Sequence, residues 1–221
     1  EMSGERTPPL QIQLLSDLHL EFRSEFPDIE PAAPYLALLG DIGYARADGE
    51  GAKLSAFLRA TSPKFERIFL LKGNHELYGT SRGQAVAWLR NLEAEITNVT
   101  FLDRDCVDVE TSRILGCTLW SRIPRRSRKS AWSMMRDFDE ITDLCVDDRT
   151  AVGQDAAAVL NAKVQHGCNV YDAWYCEDVD WLSAELERAR LDVESGHISS
   201  VIILTHHAPL VEDEAVCKRS R

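Results

Sequence analysis

The same short pattern occurs four times along this chain: a hydrophobic run of four or five residues followed by aspartate, asparagine or histidine. The four runs and their polar ends are Ile12 to Ser16 with Asp17-Leu18-His19, Tyr35 to Leu39 with Gly40-Asp41, Ile68 to Leu71 with Gly73-Asn74-His75-Glu76, and Val201 to Leu204 with Thr205-His206-His207. Short continuous apolar runs are typical of strands that are buried on both faces of a parallel sheet. Strand–helix–strand steps in succession also favour a parallel sheet with right-handed crossovers.

The polar side chains at the ends of these runs predict a functional site. In open α/β sheets, ligands bind just beyond the carboxyl ends of the strands, so we expect these groups to converge at one edge of a sheet. Aspartate, asparagine and histidine are ligands that divalent metals favour, and no cysteine lies among them. One such group could have another role, since Gly73 and Asn74 could simply form a turn with a helix cap. Four groups in this order favour a metal site.

The motifs D-x-H, G-D, G-N-H-E and T-H-H resemble those of the calcineurin-like metallophosphoesterase superfamily, over residues 12 to 209. The resemblance implies one domain over residues 1–221, with an α/β fold: a four-layer αββα sandwich of two mixed β-sheets flanked by helices. It also implies a dinuclear metal-dependent phosphoester hydrolase that uses a metal-bridging hydroxide for in-line attack on phosphorus. The family's G-H-x-H segment has no counterpart after Pro209. We therefore expect the domain to be C-terminally incomplete and to lack its last strands.

The resemblance gives each motif residue a role. The ligands of two divalent metal ions would be Asp17, His19, Asp41, Asn74 and His206. Asp17 and His19 would hold the first ion, Asn74 and His206 the second, and Asp41 would bridge them. His75 would be the catalytic residue that contacts the scissile phosphate and assists the leaving group. The ions would be Mn, Fe or Zn, because oxygen and nitrogen ligands suit all three.

A basic segment, Ser121 to Ala131, stands out in a chain of net charge −11. Its residues Arg122, Arg125 and Arg126 could bind substrate, because guanidinium groups match phosphate oxygens. The alternative, which a basic segment of this kind favours, is a solvated loop. The acidic net charge argues against a non-specific grip on nucleic acid, so the predicted partner is a small phosphoester substrate.

Composition predicts a cytoplasmic protein that does not enter a membrane. The chain has no apolar stretch of membrane-spanning length and no signal peptide at its start. Its six cysteines form no C-x-x-C pair, which is typical of reduced, mostly buried thiols.

Hydrophobic periodicity predicts the remaining elements. Helices are expected at residues 52–60, 84–96, 132–137, 150–166 and 177–193. Three closely spaced strands at residues 99–102, 106–109 and 113–119 are expected to form an antiparallel meander in a second sheet.

Two alternatives to an active hydrolase stay open. The chain could be a catalytically impaired or non-catalytic member of this fold that acts as a binding or scaffold module, as the retromer scaffold subunit of the superfamily does. It could also be a truncated form with low activity, whose exposed sheet edge would allow self-association. The choice between monoester and diester substrates is open as well.

Overall fold

The computed structural model describes residues 10–145 and 155–209. Within them lie seven strands: β1 (Ile12–Leu15), β2 (Tyr35–Leu39), β3 (Arg67–Leu71), β4 (Val99–Phe101), β5 (Asp105–Val109), β6 (Ser112–Cys117) and β7 (Ser200–Thr205). The α-helices are α1 (Ala52–Thr61), α2 (Arg82–Glu95), α3 (Arg128–Met134), α4 (Asp137–Glu140) and α5 (Ala156–Glu194). Short 3-10 helices include Leu20–Phe22 and His75–Leu77, which follow β1 and β3.

The first sheet has the order β1-β2-β3-β4, and its pairs are all parallel. The central strands β2 and β3 are almost fully buried, which explains why they are apolar at successive positions and do not alternate with polar residues. The bounds predicted for these two strands agree with the structure. Because β1, β2 and β3 run in the same direction, their carboxyl ends and the polar residues that follow lie at one edge.

The second sheet has the order β5-β6-β7 and is mixed: β5 and β6 pair antiparallel, whereas β6 and β7 pair parallel. The prediction that residues 99–102 belong to this sheet is wrong. That segment forms β4, which pairs parallel with β3 after the crossover through α2. The prediction that all four polar-ended runs belong to one sheet is also wrong, because β7 lies in the second sheet.

The two sheets pack face to face, which confirms the predicted α/β sandwich with helices. Ala37, Phe69 and Leu71 of the first sheet share a hydrophobic cluster with Ile114 and Leu204 of the second. A larger cluster packs α1 and α2 against the first sheet, through Leu54, Phe57, Leu58, Ala85, Leu89 and Leu92. On the side of the second sheet, α5 contacts β6 and α3. The first sheet is wholly parallel among its described strands, and only the second is mixed.

Helix α5 is one continuous helix of 39 residues, where two helices, at residues 150–166 and 177–193, were predicted. The predicted break falls near Gly167, which is buried inside the helix. A Cβ built there would lie 2.7 Å from Trp132 Cζ3 and 2.9 Å from Phe138 Cδ1. Gly167 is therefore a close-packing position and not a helix end.

Replacing Gly167 with alanine is expected to destabilise the fold, although alanine is the better helix former. The new methyl group would overpack the Trp132 and Phe138 contact, which costs about 1–3 kcal/mol. Gly83 of α2 is the matched control, because a Cβ there meets nothing within 4 Å and should stabilise the chain by about 0.4–1 kcal/mol. Urea denaturation of both variants measures the difference. Equal effects of the same sign would contradict the packing role of Gly167.

Several sequence predictions fall outside the described residues or are only partly tested. The missing strands, the C-terminal end of the domain and its extent over residues 1–221 stay predictions. Among the described strands, β1 and β7 are sheet edges, and Leu14 and Ile203 on them are exposed. Self-association through such an edge stays a prediction. Of the described cysteines, Cys106, Cys145 and Cys176 are exposed, so the prediction of mostly buried thiols is wrong for these three. No described helix is long and apolar enough to cross a membrane, and the cytoplasmic location stays a prediction.

Candidate metal centre

The loops that follow β1 and β2 run side by side at the carboxyl edge of the first sheet. The amide of Asp17 donates to Gly40 O at 3.1 Å, and the amide of His19 donates to Asp41 O at 3.0 Å. Asp17, His19 and Asp41 all have positive φ, between 49° and 56°. For residues other than glycine this backbone costs of order 1–3 kcal/mol each, and it persists where surrounding contacts hold it. Three of the predicted metal ligands therefore have a strained backbone, as do Arg104, Glu110 and Leu119 elsewhere in the described residues.

Two glycines allow these loops to approach each other closely. A Cβ on Gly73 would lie 2.2 Å from Asp41 Oδ1 and 2.7 Å from His206 Nε2. A Cβ on Gly40, whose φ is +95°, would lie 2.6 Å from the amide nitrogen of Gly73 and 2.8 Å from His206 Nδ1. Any side chain at either position would therefore separate the predicted ligands. The glycines of the G-D and G-N-H-E motifs are required by this packing.

Two groups of side chains could each hold a metal ion, and Asp41 belongs to both. One group is His19, Asp41 and His75, and the other is Asp17, Asp41 and His206, with the donor atoms of each group within 4.8 Å of one another. Asp41 Oδ2 lies 4.0 Å from Nε2 of both His19 and His75, and its Oδ1 lies 3.5 Å from His206 Nε2. Oδ2 of Asp41 therefore faces the two histidines of the first group, and Oδ1 faces His206 of the second group. Imidazole nitrogen with carboxylate oxygen is a donor set that fits divalent Mn, Fe or Zn.

The buried side chain of Glu76 links the loop that follows β2 to the loop that follows β3. Its carboxylate is fully buried and accepts hydrogen bonds from the backbone amides of Asp41, Ile42, Gly43 and Gly73, at 2.6–3.3 Å. Burial and the nearby Asp41 carboxylate raise the pKa of Glu76, and the amide hydrogen bonds only partly offset this. Glu76 thus has a structural role: it holds the backbone that carries Asp41.

Glu21 contacts two of the site histidines with one oxygen. Its Oε1 lies 3.1 Å from His19 Nδ1 and 2.8 Å from His75 Nδ1. Burial raises the pKa of the Glu21 carboxyl, but the hydrogen bonds from His75 and His19 outweigh it and hold that pKa below its usual value. For His75, burial lowers the pKa, whereas the hydrogen bond to Glu21 and the charge of Asp41 raise it above its usual value.

His206 is oriented by the backbone of β2. Its Nδ1 lies 2.9 Å from Leu39 O, and because a carbonyl can only accept, Nδ1 carries the proton. Its Nε2 then carries no proton and faces Asp41 with a lone pair that is free for a metal ion, as in metal-ligating histidines. His207 points elsewhere: its amide donates to Thr118 O, and burial together with His206 lowers its pKa to about 4. This buried environment is typical of a structural histidine.

Asn74 is held by a buried carboxylate of α4. Its Nδ2 donates to Asp137 Oδ1 at 2.8 Å and to Tyr78 Oη at 3.0 Å. Asp137 also accepts hydrogen bonds from the hydroxyls of Tyr78 and Tyr171. These contacts fix which end of the amide is nitrogen, so the Asn74 oxygen is the atom available for a ligand. Asn74 is not part of either group of histidine and aspartate side chains, so its predicted ligand role stays a prediction.

The predicted substrate-binding residues Arg122, Arg125 and Arg126 are exposed, and the last two lie in a 3-10 helix before α3. Within residues 10–145 and 155–209, no acidic side chain pairs with any of the three. The neighbouring Arg128 differs, because it donates to Asp172 and Asn169 of α5. No contact joins the three exposed arginines to the metal groups in that part of the chain, and their role stays a prediction.

The structure brings five of the predicted residues together: Asp17, His19, Asp41, His75 and His206. Sequence reasoning missed Glu21 and Asp137. Glu21 lies only two residues after His19, and this spacing extends D-x-H to D-x-H-x-E. No local signal marks Asp137, because its partners Asn74, Tyr78 and Tyr171 are distant in sequence.

No protein-family model matches this chain. Among curated proteins, the chain is similar to Uncharacterized protein L509 of Acanthamoeba polyphaga mimivirus, with 25% identity over 219 residues that cover 91% of this chain and 69% of the relative. Among solved structures, it is similar to the crystal structure of phosphopantetheinyl hydrolase (PptH) from Mycobacterium tuberculosis. That match has 18% identity and a TM-score of 0.47, and it covers 80% of this chain and 62% of the other. The functional assignment therefore depends on this chain's own residues.

Proposed function

We propose that this chain is a metal-dependent phosphoester hydrolase of the calcineurin-like metallophosphoesterase superfamily. The observation that carries the proposal is the shared carboxylate: Asp41 faces His206 with one oxygen and both His19 and His75 with the other. A carboxylate in this position can serve two cations, as the resemblance implies for Asp41, although the donor groups of the structure place Asp17 with His206 and not with His19. The order of the four motifs and the strained backbone at three of the predicted ligands, Asp17, His19 and Asp41, support the same assignment.

The residues that would hold two divalent cations are Asp17, His19, Asp41, Asn74 and His206. When bound, such cations neutralise the charge on phosphoester oxygens and lower the pKa of water toward neutrality. The protein's part is to fix the donor atoms: Glu76 holds the Asp41 backbone and Asp137 holds the Asn74 amide.

His75 is proposed as the catalytic residue that touches the scissile phosphate. Because Nδ1 is bonded to Glu21, Nε2 is the atom that would pass a proton to the leaving oxygen, and it would do so from the imidazolium form, which the Glu21 carboxylate stabilises. Arg122, Arg125 and Arg126 are proposed to form a positively charged surface that attracts the phosphoester to an otherwise acidic protein.

Hydrolysis of generic phosphoesters tests this function. The chain, first stripped with EDTA, is assayed with 4-nitrophenyl phosphate and bis(4-nitrophenyl) phosphate, with and without added Mn²⁺. We expect turnover of at least one substrate that depends on Mn²⁺. Absence of turnover on both substrates, in a chain that binds no Mn²⁺, would instead favour the scaffold alternative.

A further inference from the structure

The short helix that carries Glu21 fixes the position of its carboxylate. Glu21 lies in the 3-10 helix Leu20–Phe22, which follows His19 directly. The ammonium group of Lys53, on α1, donates to the carbonyl oxygens of Glu21 and Arg23, at 3.3 and 2.8 Å. Leu20 is buried and anchors the turn in the core. Lys53 and Leu20 therefore hold the Glu21 backbone in place, and the Glu21 side chain is only 2% exposed.

One oxygen of this carboxylate serves both imidazole rings. Glu21 Oε1 contacts Nδ1 of His19 and of His75, whereas Oε2 is buried and has no hydrogen-bond partner among the described residues. The two rings lie edge to face with centroids 4.3 Å apart. Loss of this single oxygen would therefore release both rings at once.

An ionised carboxylate can only accept hydrogen bonds, so each ring must carry its proton on Nδ1. The Nε2 atoms are then the ones left to face Asp41 Oδ2, and both lie 4.0 Å from it. Metal-ligating histidines commonly donate their second ring N–H to a carboxylate, which fixes the tautomer and the ring orientation. Here one carboxylate accepts the ring N–H of two histidines, the proposed ligand His19 and the proposed catalytic residue His75.

We infer that Glu21 is a positioning residue that fixes His19 and His75 together in the Nδ1–H tautomer, with both Nε2 atoms directed at Asp41. The tautomer part of the inference stands on geometry alone, and its consequence for metal binding rests on the proposed function. Asp17, Asp41, Glu76 and Lys53 are the other charged groups packed around this pair, and none of them accepts a hydrogen bond from either Nδ1.

The test uses Glu21→Ala and Glu21→Gln, with Glu25→Gln as the matched control. Glu25 is exposed in the same loop, and its side chain makes no hydrogen bond or ion pair among the described residues. Nitrogen-15 NMR of the imidazole rings, recorded on the metal-free chain, reports the tautomer directly. We expect His19 and His75 to be Nδ1–H in the wild type and in Glu25→Gln, and to become tautomer mixtures in Glu21→Ala. The Gln variant keeps an accepting oxygen that can take the place of Oε1, so it should retain the Nδ1–H form in both rings.

Calorimetric titration with Mn²⁺ gives the second readout. Affinity should fall about 10–100-fold in Glu21→Ala, the usual effect of losing such a partner, and stay unchanged in Glu25→Gln. Unchanged tautomers in Glu21→Ala would overturn the inference whether or not the chain is a hydrolase. Changed tautomers in a chain that never binds Mn²⁺ would support the inference and contradict the proposed function. If Glu21→Ala does not fold, Glu21→Leu, which fills the position without an accepting oxygen, is tested by the same two readouts.

Discussion

Replacing Asp41 with asparagine is expected to abolish hydrolysis and to remove at least one of the two proposed metal ions. The backbone amide of His75 donates to Asp41 Oδ1 at 2.9 Å, so an asparagine would keep its oxygen at this position. Its NH₂ group would then take the place of Oδ2 and face Nε2 of His19 and His75. An amide nitrogen is no metal ligand, so the ion on the side of His19 should be the one lost. Elemental analysis and turnover measure both effects.

Asp180→Asn is the matched control for this variant, because Asp180 is exposed on α5 and outside the site. The control should keep the metal content and the turnover of the wild type. If Asp41→Asn itself kept full metal content and full turnover, Asp41 would not be shared between two ions, and the proposed site would be wrong.

Replacing His75 with alanine is expected to slow hydrolysis by roughly 10²–10⁴, the usual contribution of a positioned acid–base group, without loss of metal. Metal binding should survive because Glu21 can still hold His19 through Nδ1, and Asp41 and His206 are unchanged. Comparison of turnover with metal content separates the two effects. His166→Ala is the control, since His166 is exposed and its ring is hydrogen-bonded to Asp143 O, outside the site.

Loss of one metal ion from His75→Ala, together with its activity, would contradict the catalytic role. His75 would then be a ligand, as its placement in one group with His19 and Asp41 also permits. Activity close to that of the wild type would exclude both roles.

The parts of the fold that could be predicted from the sequence are those with a strong local signal. Strands β2 and β3 are central in a parallel sheet, so their apolar runs are continuous and end where the polar site begins. The motif residues after β1, β2 and β3 follow the strand ends directly, so the convergence of Asp17, His19, Asp41 and His75 could be expected from the first sheet alone.

The parts that could not be predicted depend on contacts between distant residues. Whether β7 joins the first or the second sheet is decided by its pairing with β6, 88 residues away in sequence at Ser112 and Ser200. The continuity of α5 depends on Trp132 and Phe138 packing over Gly167, a glycine that is otherwise typical of a helix end. Asp137 is linked to the site only through its hydrogen bonds with Asn74 and two tyrosines.

The number of metal ions per chain tests the central claim most directly. The chain is loaded with Mn²⁺, freed of excess by gel filtration and measured by elemental analysis against its protein concentration. The shared position of Asp41 predicts about two ions per chain in the wild type and fewer in Asp41→Asn. A wild-type chain that retains no metal under these conditions would contradict a dinuclear hydrolase.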